Sequence, residues 1–487
     1  MRSRRPEPRR ESALRAVFAA CVISAVAQCA TYSVFATELF RAHATRDDIQ
    51  ADHANLERYW RYRVRLVTEF LDPGEGPGKH IPADTIYIRG RRVDVIRWAD
   101  GPLQLGWYIG VLALETAWNS APDSIVPQLA DRIPKPAAVA AREEENVADI
   151  PNDFPEEPVH LRELYFALAA IDRLDRRAEP IFARVCAGPA DDVPGFFIRD
   201  DVEDSPELRA RMGRLWIESD FATLAAATCR AGMNGVRDCL EQCPHCFNGE
   251  ASQDQIYHLL MGLALVQRFV PPGTSVRGVD LHVQAGRQAR RMIDYLALHD
   301  WELRNPVCDR PVRRGSYAKG YSHATSHVAE YFGDPTHRES GSACLWTGAG
   351  WSRNPVYVNP DNRHLAMVLA ATGGVWGPET FDQLTEMAEP EDWQVYPLLH
   401  LALNANSAAV SDEQRLNLRE RVEILLDTAP EDGPAFDGPP RPNPGWSSSN
   451  RFLRGRAKQQ GAGESYGALY NGLDYLLLYG LSRVAFD

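Results

Sequence analysis

Lysine is almost missing from this chain: of 53 basic residues in 487, only Lys79, Lys135, Lys319 and Lys458 are not arginine. That bias carries little functional information. The shortage of positive charge overall says more. With a formal net charge of −13, the chain lacks the basic balance of a general nucleic-acid binder, and no nucleic-acid partner is expected. Several signatures are missing too. There is no G-x-S-x-G elbow after a strand, no H-E-x-x-H and no P-loop, and no βαβ alternation. Nor does a fixed-period repeat appear, which disfavours a consensus array. Beyond residue 40 no uncharged run is long enough to cross a membrane.

What is present starts at the N-terminus. "MRSRRPEPRRESALR" is arginine-rich, and "AVFAACVISAVAQCATYSVFAT" follows without a charge. A basic region, an apolar run and small residues at Ala25–Ala27 and Val34–Ala36 form the pattern of a secretory signal. An uncleaved membrane anchor is the alternative for residues 1–36, and would be the only membrane attachment. Its Ala, Ser, Thr, Gln and Cys content suits a signal better. The expectation is a secreted or periplasmic protein.

Export bears on "CLEQCPHC", Cys239 to Cys246. Its C-x3-C-x2-C spacing is shared with radical enzymes that use S-adenosylmethionine, and it suits three ligands of a zinc site with Cys229 or His245 as the fourth. The radical enzymes carry theirs near the start of a parallel β/α barrel in a reducing compartment. Behind an export signal, cysteines read first as disulfides, with Cys308 and Cys344 a further candidate pair. Connectivity is not legible, and neither a metal nor a cofactor is expected.

From residue 46 the periodicity is helical. Leu56, Tyr59, Trp60, Val64, Val67 and Leu71 fall at three-and-four spacing. "PGEGPGKHIP" breaks that helix, and "TIYIRGRRVDVIRW" predicts a hairpin. "GPLQLGWYIGVLALETAWNS" is apolar on nearly every side and predicts a buried helix. Further helices are expected over 159–185, 205–231, 252–270, 279–299, 363–375, 392–405 and 411–428, and from Glu464 to the C-terminus. Ten to twelve helices without strand alternation predict an all-α fold of helical hairpins, a single domain over 46–487. Two long loops, 304–360 and 430–446, interrupt it. Loops of that length in a compact domain tend to be functional.

Candidate chemistry lies in three places. Ser252 is placed as the N-cap of a helix, with Asp254 and His258 one turn apart on one face. They read either as a polar pair facing a cleft or as a helix-start acid and a satisfied buried histidine. The 304–360 loop brings Arg313, Arg314, Tyr321 and His323. Tyrosine beside histidine can accept and donate protons while arginine neutralises an acidic group; alternatively these residues stitch the loop together. Trp346, Trp351 and Trp446 read as flat platforms for sugar faces or as loop anchors. Near the C-terminus Glu464 is a candidate acid. Asn471 and Asp474, poor helix formers, are expected to bond to neighbouring helices.

"RWADGPLQLGWYIGVLALE", "SQDQIYHLLMGLALV" and "YNGLDYLLLYGL" resemble segments of secreted bacterial (α/α)-toroid carbohydrate-active enzymes, the polysaccharide lyases and glycoside hydrolases. The resemblance implies an (α/α) toroid, an incomplete or six-hairpin barrel, binding a polysaccharide or oligosaccharide in a cleft on its rim. Hydrolysis needs two carboxyl groups across the scissile bond, for which Asp100, Asp254 and Glu464 are candidates. Elimination next to a uronate implies Tyr321 with His323 or His258, and Arg314 on the carboxylate. A non-catalytic glycan- or protein-binding role for the same cleft is the alternative.

Overall fold

The computed structural model describes residues 46–89, 93–98, 100–120, 157–186, 195–219, 221, 249–299, 301, 303–304, 328–329, 331–332, 360–373, 379–389, 393–404, 410–429, 435–436 and 467–486. Contacts divide the chain into Met1–Ala54 with Asp487, and Asn55–Phe486. Apart from the first residues of α1, the second unit holds everything discussed below.

The fold is all-α in its main mass, with eleven α-helices among the described residues. They are α1 (Arg46–Arg65), α2 (Gly101–Ser120), α3 (Val159–Cys186), α4 (Pro206–Met212), α5 (Gln253–Phe269), α6 (Leu281–Leu298), α7 (Pro360–Gly373), α8 (Thr380–Ala388), α9 (Val395–Leu403), α10 (Asp412–Asp427) and α11 (Leu473–Phe486). A short π-helical turn, Leu66–Phe70, continues α1.

Two kinds of helix alternate. α6 buries Leu281, Gln284, Ala285, Gln288, Ala289, Met292, Ile293 and Leu296 at three-and-four spacing, with Tyr295 beside them, and leaves the rest of its surface partly or fully exposed, the mark of a helix packed on one face. α2 is buried around almost its whole circumference, as are the described parts of α5, α9 and α11. α2 packs against α5, α11 and α3; α5 against α6 and α7; α9 against α7, α8 and α11.

Residue pairs give the directions. Gln255 meets Asp100 near the starts of α5 and α2. Gly110, further along α2, faces Leu265 of α5 and Leu477 of α11. Asn471, just ahead of α11, bonds Gln104, and Gly480 faces Leu114. These three helices therefore run parallel. At the other end Arg268 of α5 donates to the Ala402 carbonyl of α9 (3.4 Å), and Asn404 donates to the Ala371 carbonyl of α7 (3.0 Å). The C-terminal ends of α5, α7 and α9 thus lie together.

α2 and α5 approach closely because both carry glycine at the crossing. A Cβ on Gly106 would stand 2.5 Å from the His258 carbonyl carbon and 2.8 Å from the Leu259 nitrogen. One on Gly262 would stand 3.0 Å from the Gly106 carbonyl carbon. Only hydrogen at these positions lets the backbones touch.

The expected hairpin forms, as β1 (Thr85–Arg89) and β2 (Val93–Arg97) with Thr85 opposite Arg97. It is the centre of a larger sheet rather than an isolated pair. β3 (Trp216–Glu218) joins β2 in parallel, while β7 (Gly467–Tyr470) joins β1 antiparallel and carries β6 (Ala435–Phe436). A separate two-stranded ladder pairs β4 (Ser275–Val276) with β5 (Val279–Asp280).

Two expectations are corrected, and one helix is added. The helix read over 205–231 ends at Met212, because Gly213 takes the left-handed conformation (φ +61°) and returns its N–H to Ala210, a glycine stop. Trp216–Glu218 beyond it form β3, Phe221 is helical again, and 222–231 lie outside the described residues. The terminal helix starts at Leu473 rather than near Glu464: Gly467–Tyr470 pair with β1, and Gly472 turns at φ +81°. α8, Thr380–Ala388, was not anticipated; Thr380, Phe381, Leu384 and Ala388 bury a face too short to stand out as a pattern.

Candidate functional site

The parallel course of α2, α5 and α11 brings their N-terminal ends together, and a buried polar seam runs across them. Asp100 opens α2, its carbonyl accepting from Gln104 N–H (3.0 Å). Next to it Gly101 lies so close to the Arg199 carbonyl that a Cβ would stand 2.6 Å from it. Ser252 opens α5: its N–H donates to Gln255 Oε1 (3.0 Å) and its hydroxyl to Asp254 Oδ1, half of the reciprocal arrangement that satisfies a helix start. Gln255 then reaches across, Nε2 donating to Asp100 Oδ1 (3.4 Å). Asn471 closes the seam, donating to the Ala83 carbonyl and Gln104 Oε1 (both 2.9 Å) and accepting from Leu473 N–H (3.1 Å).

Asp100, Asp254 and His258 are therefore gathered into one neighbourhood. They are not presented to solvent alike: Asp100 keeps 9% of its surface exposed, Asp254 1% and His258 none. His258 Nδ1 lies 2.7 Å from the Asp254 backbone carbonyl, an acceptor only, so Nδ1 carries the proton. It addresses the Asp254 backbone. Trp107 of α2 stacks on the His258 ring (centroids 6.0 Å apart, planes at 26°). Tyr321, His323, Arg314, Trp346, Trp351, Trp446 and Glu464 lie outside the described residues, as do Arg313 and "CLEQCPHC". Asn471 bonds its neighbours as a polar group in an apolar setting must.

Two further polar groupings escaped the sequence reading. Arg63 of α1 is buried between two carboxylates, with Nε 2.8 Å from Glu115 Oε1 and Nη2 bonded to Glu163. Tyr59 donates to Glu115 as well (2.6 Å). Burial alone would raise the Glu115 carboxyl; the Arg63 charge and these bonds outweigh it and hold it below its ordinary range. Burial, then the Glu163 charge, pushes the Tyr108 hydroxyl well up. Nothing local in the sequence signals this cluster, because its members come from three helices.

The other is the glycine-rich segment Asp72–His80, DPGEGPGKH, which sequence periodicity marked only as a break. It forms a strap closed on itself: His80 N–H donates to the Asp72 carbonyl (2.8 Å), and Gly74 N–H donates to His80 Nδ1 (2.8 Å). Gly74, Gly76 and Gly78 take positive φ, and so does His80 itself (φ +58°), a conformation that persists only when the surroundings enforce it. Asp201 accepts from Gly78 N–H (2.9 Å) and from Arg173 Nε (2.8 Å), and Arg173 also donates to the Lys79 carbonyl (2.6 Å). A glycine-proline run ending in Lys-His was the available signal.

No family model, curated protein or solved structure matches this chain. Among the described residues, no group of three or more His, Cys, Asp or Glu side chains is placed to hold a metal ion. No described helix is long and apolar enough to cross a membrane.

Proposed function

We propose that this protein is an exported (α/α)-toroid enzyme that cleaves the glycosidic bonds of a polysaccharide, by hydrolysis or elimination, across the ends where its inner helices begin. The observation that carries this reading is directional. α2, α5, α7, α9 and α11 form a succession of neighbours with a common sense, and amphipathic helices alternate with them along the chain. That alternation is what a toroid of α/α hairpins requires. Most of the long stretches of sequence between described helices run into these helices: 66–100, 299–359 and 428–472, together with 187–252, which holds α4. Those leaving α5, α7 and α9 are short, at 270–280, 374–379 and 404–411; 121–158, after α2, is the exception.

The candidate residues follow the same polarity. Asp100 ends the first long connection, and Asp254 and His258 occupy the first turns of α5. Arg314, Tyr321, His323, Trp346 and Trp351 fall in sequence between α6 and α7, and Trp446 and Glu464 between α10 and α11. In the hydrolytic form Asp100, Asp254 and Glu464 supply the acid and base. In the eliminating form Tyr321 and His323 move the proton while Arg314 holds the uronate. His258, sealed beneath Trp107, positions α5 rather than touching substrate.

The near-complete burial of Asp254 and His258 favours a second reading, in which the same ends bind glycan without cutting it. Incubation of the exported protein with a polysaccharide panel separates the two. New reducing ends without ultraviolet absorbance mean hydrolysis, and both together mean elimination. Asp100→Asn should lower hydrolysis at least about 100-fold, the usual worth of a positioned acid or base. Glycan retention without any product on the whole panel would overturn the enzyme in favour of the binding protein.

A further inference from the structure

The strap Asp72–His80 is held by a histidine that must stay neutral. We propose that it is an acid-released latch: uptake of a solvent proton at His80 Nδ1 expels the Gly74 N–H from its acceptor and opens residues 72–80. The reasoning starts from the bond. Nδ1 accepts the Gly74 N–H at 2.8 Å, and an imidazolium has no lone pair left to accept with. Protonation thus replaces an attraction with two N–H groups pointing at one another.

The surroundings make that state worse. His80 is fully buried, its ring against Phe166 of α3 (5.1 Å) and Tyr108 of α2 (6.1 Å). The charges that face it are cations: Arg173 from α3, Arg63 from α1 and Lys79 from the strap itself. Each is paired with carboxylates: Arg173 with Asp201, which also holds Gly78 of the strap, Arg63 with Glu115 and Glu163, and Lys79 with Asp72 of the strap at 4.0 Å. Burial first, then the Arg173 and Arg63 charges, lower the His80 imidazole to about 3. An opened strap would return it to its ordinary value of about 6.5. The sign follows from linkage. The closed strap is fully favoured above about pH 6.5, and each pH unit below that multiplies the open-to-closed ratio by about ten until about pH 3.

Opening reaches the candidate site through the chain. Ile81 follows directly; its carbonyl accepts from Trp98 Nε1 (2.8 Å), and its side chain packs beside Gly101 next to Asp100. Release of the strap therefore loosens the wall beside the start of α2. This inference stands apart from the glycan reading and survives its failure.

Hydrogen exchange on the full-length protein tests it. Protection factors at the Gly74, Gly78 and His80 amides should fall about 50-fold from pH 6.5 to 4.5, while those in the middle of α6 hold. His80→Asn keeps a side-chain acceptor and tolerates a left-handed backbone, so its strap protection should not vary with pH. Constant strap protection in the native protein over that range overturns the latch, as does an unchanged acid response in His80→Asn. Should the variant not fold, the native protein still decides: a strap and an α6 that lose protection together mean global acid unfolding and overturn it.

Discussion

Replacing Gly106 by alanine should part α2 from α5. The added methyl would lie 2.5 Å from the His258 carbonyl carbon and 2.8 Å from the Leu259 nitrogen, whereas non-bonded carbons rest at about 3.5–4.0 Å. The obstacles are backbone atoms with no rotamer to escape through, so the helices must separate by about 1 Å. A gap of that size forfeits about a quarter to a half of each dispersion contact along the crossing. Overpacking of this kind costs about 1–3 kcal/mol, sometimes more, and a backbone obstacle places Gly106→Ala at the upper end. Alanine's better helix propensity returns at most about 1 kcal/mol, leaving a net loss of about 2 kcal/mol or more. Gly262→Ala meets the same crossing, with its methyl 3.0 Å from the Gly106 carbonyl carbon. Once one alanine has parted the helices the second meets less resistance, so the double variant should lose less than the sum. Gly286→Ala in α6 is the control, since its methyl would meet nothing nearer than the Gln267 side chain at 3.4 Å. It should be neutral or gain up to about 1 kcal/mol. Urea unfolding followed by far-ultraviolet circular dichroism measures all four. A Gly106→Ala protein within about 0.5 kcal/mol of the parent, or a Gly286→Ala protein equally damaged, would refute the close crossing.

Three other outcomes are expected. Asn471→Ala leaves the Ala83 carbonyl, Gln104 Oε1 and Leu473 N–H without their partner; thermal melting should show a loss of about 2–3 kcal/mol, and a neutral result would show the seam to be dispensable. Arg63→Met strands Glu115 and Glu163 as buried, uncompensated acids, a cost of about 3–5 kcal/mol at neutral pH that should shrink in acid as those carboxyls take up protons; a penalty independent of pH would contradict this. His400, lowered to about 4 by burial, binds its proton more readily when unfolded, so its share of stability is present above about pH 6.5 and falls toward pH 4, by at most about 3 kcal/mol. His400→Gln should flatten that part of the stability profile, and an identical profile would remove His400 from it.

The helices of this protein were legible where a single face or a wholly apolar stretch repeats. α2, α5 and α6 lie close to where periodicity puts them, with Ser252 at the start of α5 and Asp280 capping α6 through Val283 N–H (3.0 Å). These are local properties of the chain, set by side-chain spacing and by which residues satisfy a free helix end. Sequence spacing could also set Asp254 and His258 on one face. What it could not supply is everything that depends on a second element. β3 and β7 are strands because β2 and β1 offer them free edges, so Trp216–Glu218 and Gly467–Tyr470 leave the helices their sequences suggest. The junction of Asp100 with Gln255 needs the Gly106–Gly262 crossing to exist first. Burial of Arg63 between Glu115 and Glu163, and of His80 under Tyr108 and Phe166, joins residues between 28 and 100 positions apart. Hydrophobic periodicity is written into the order of residues; close approach, desolvation and the pairing of buried charge arise only once distant segments share the same few ångströms.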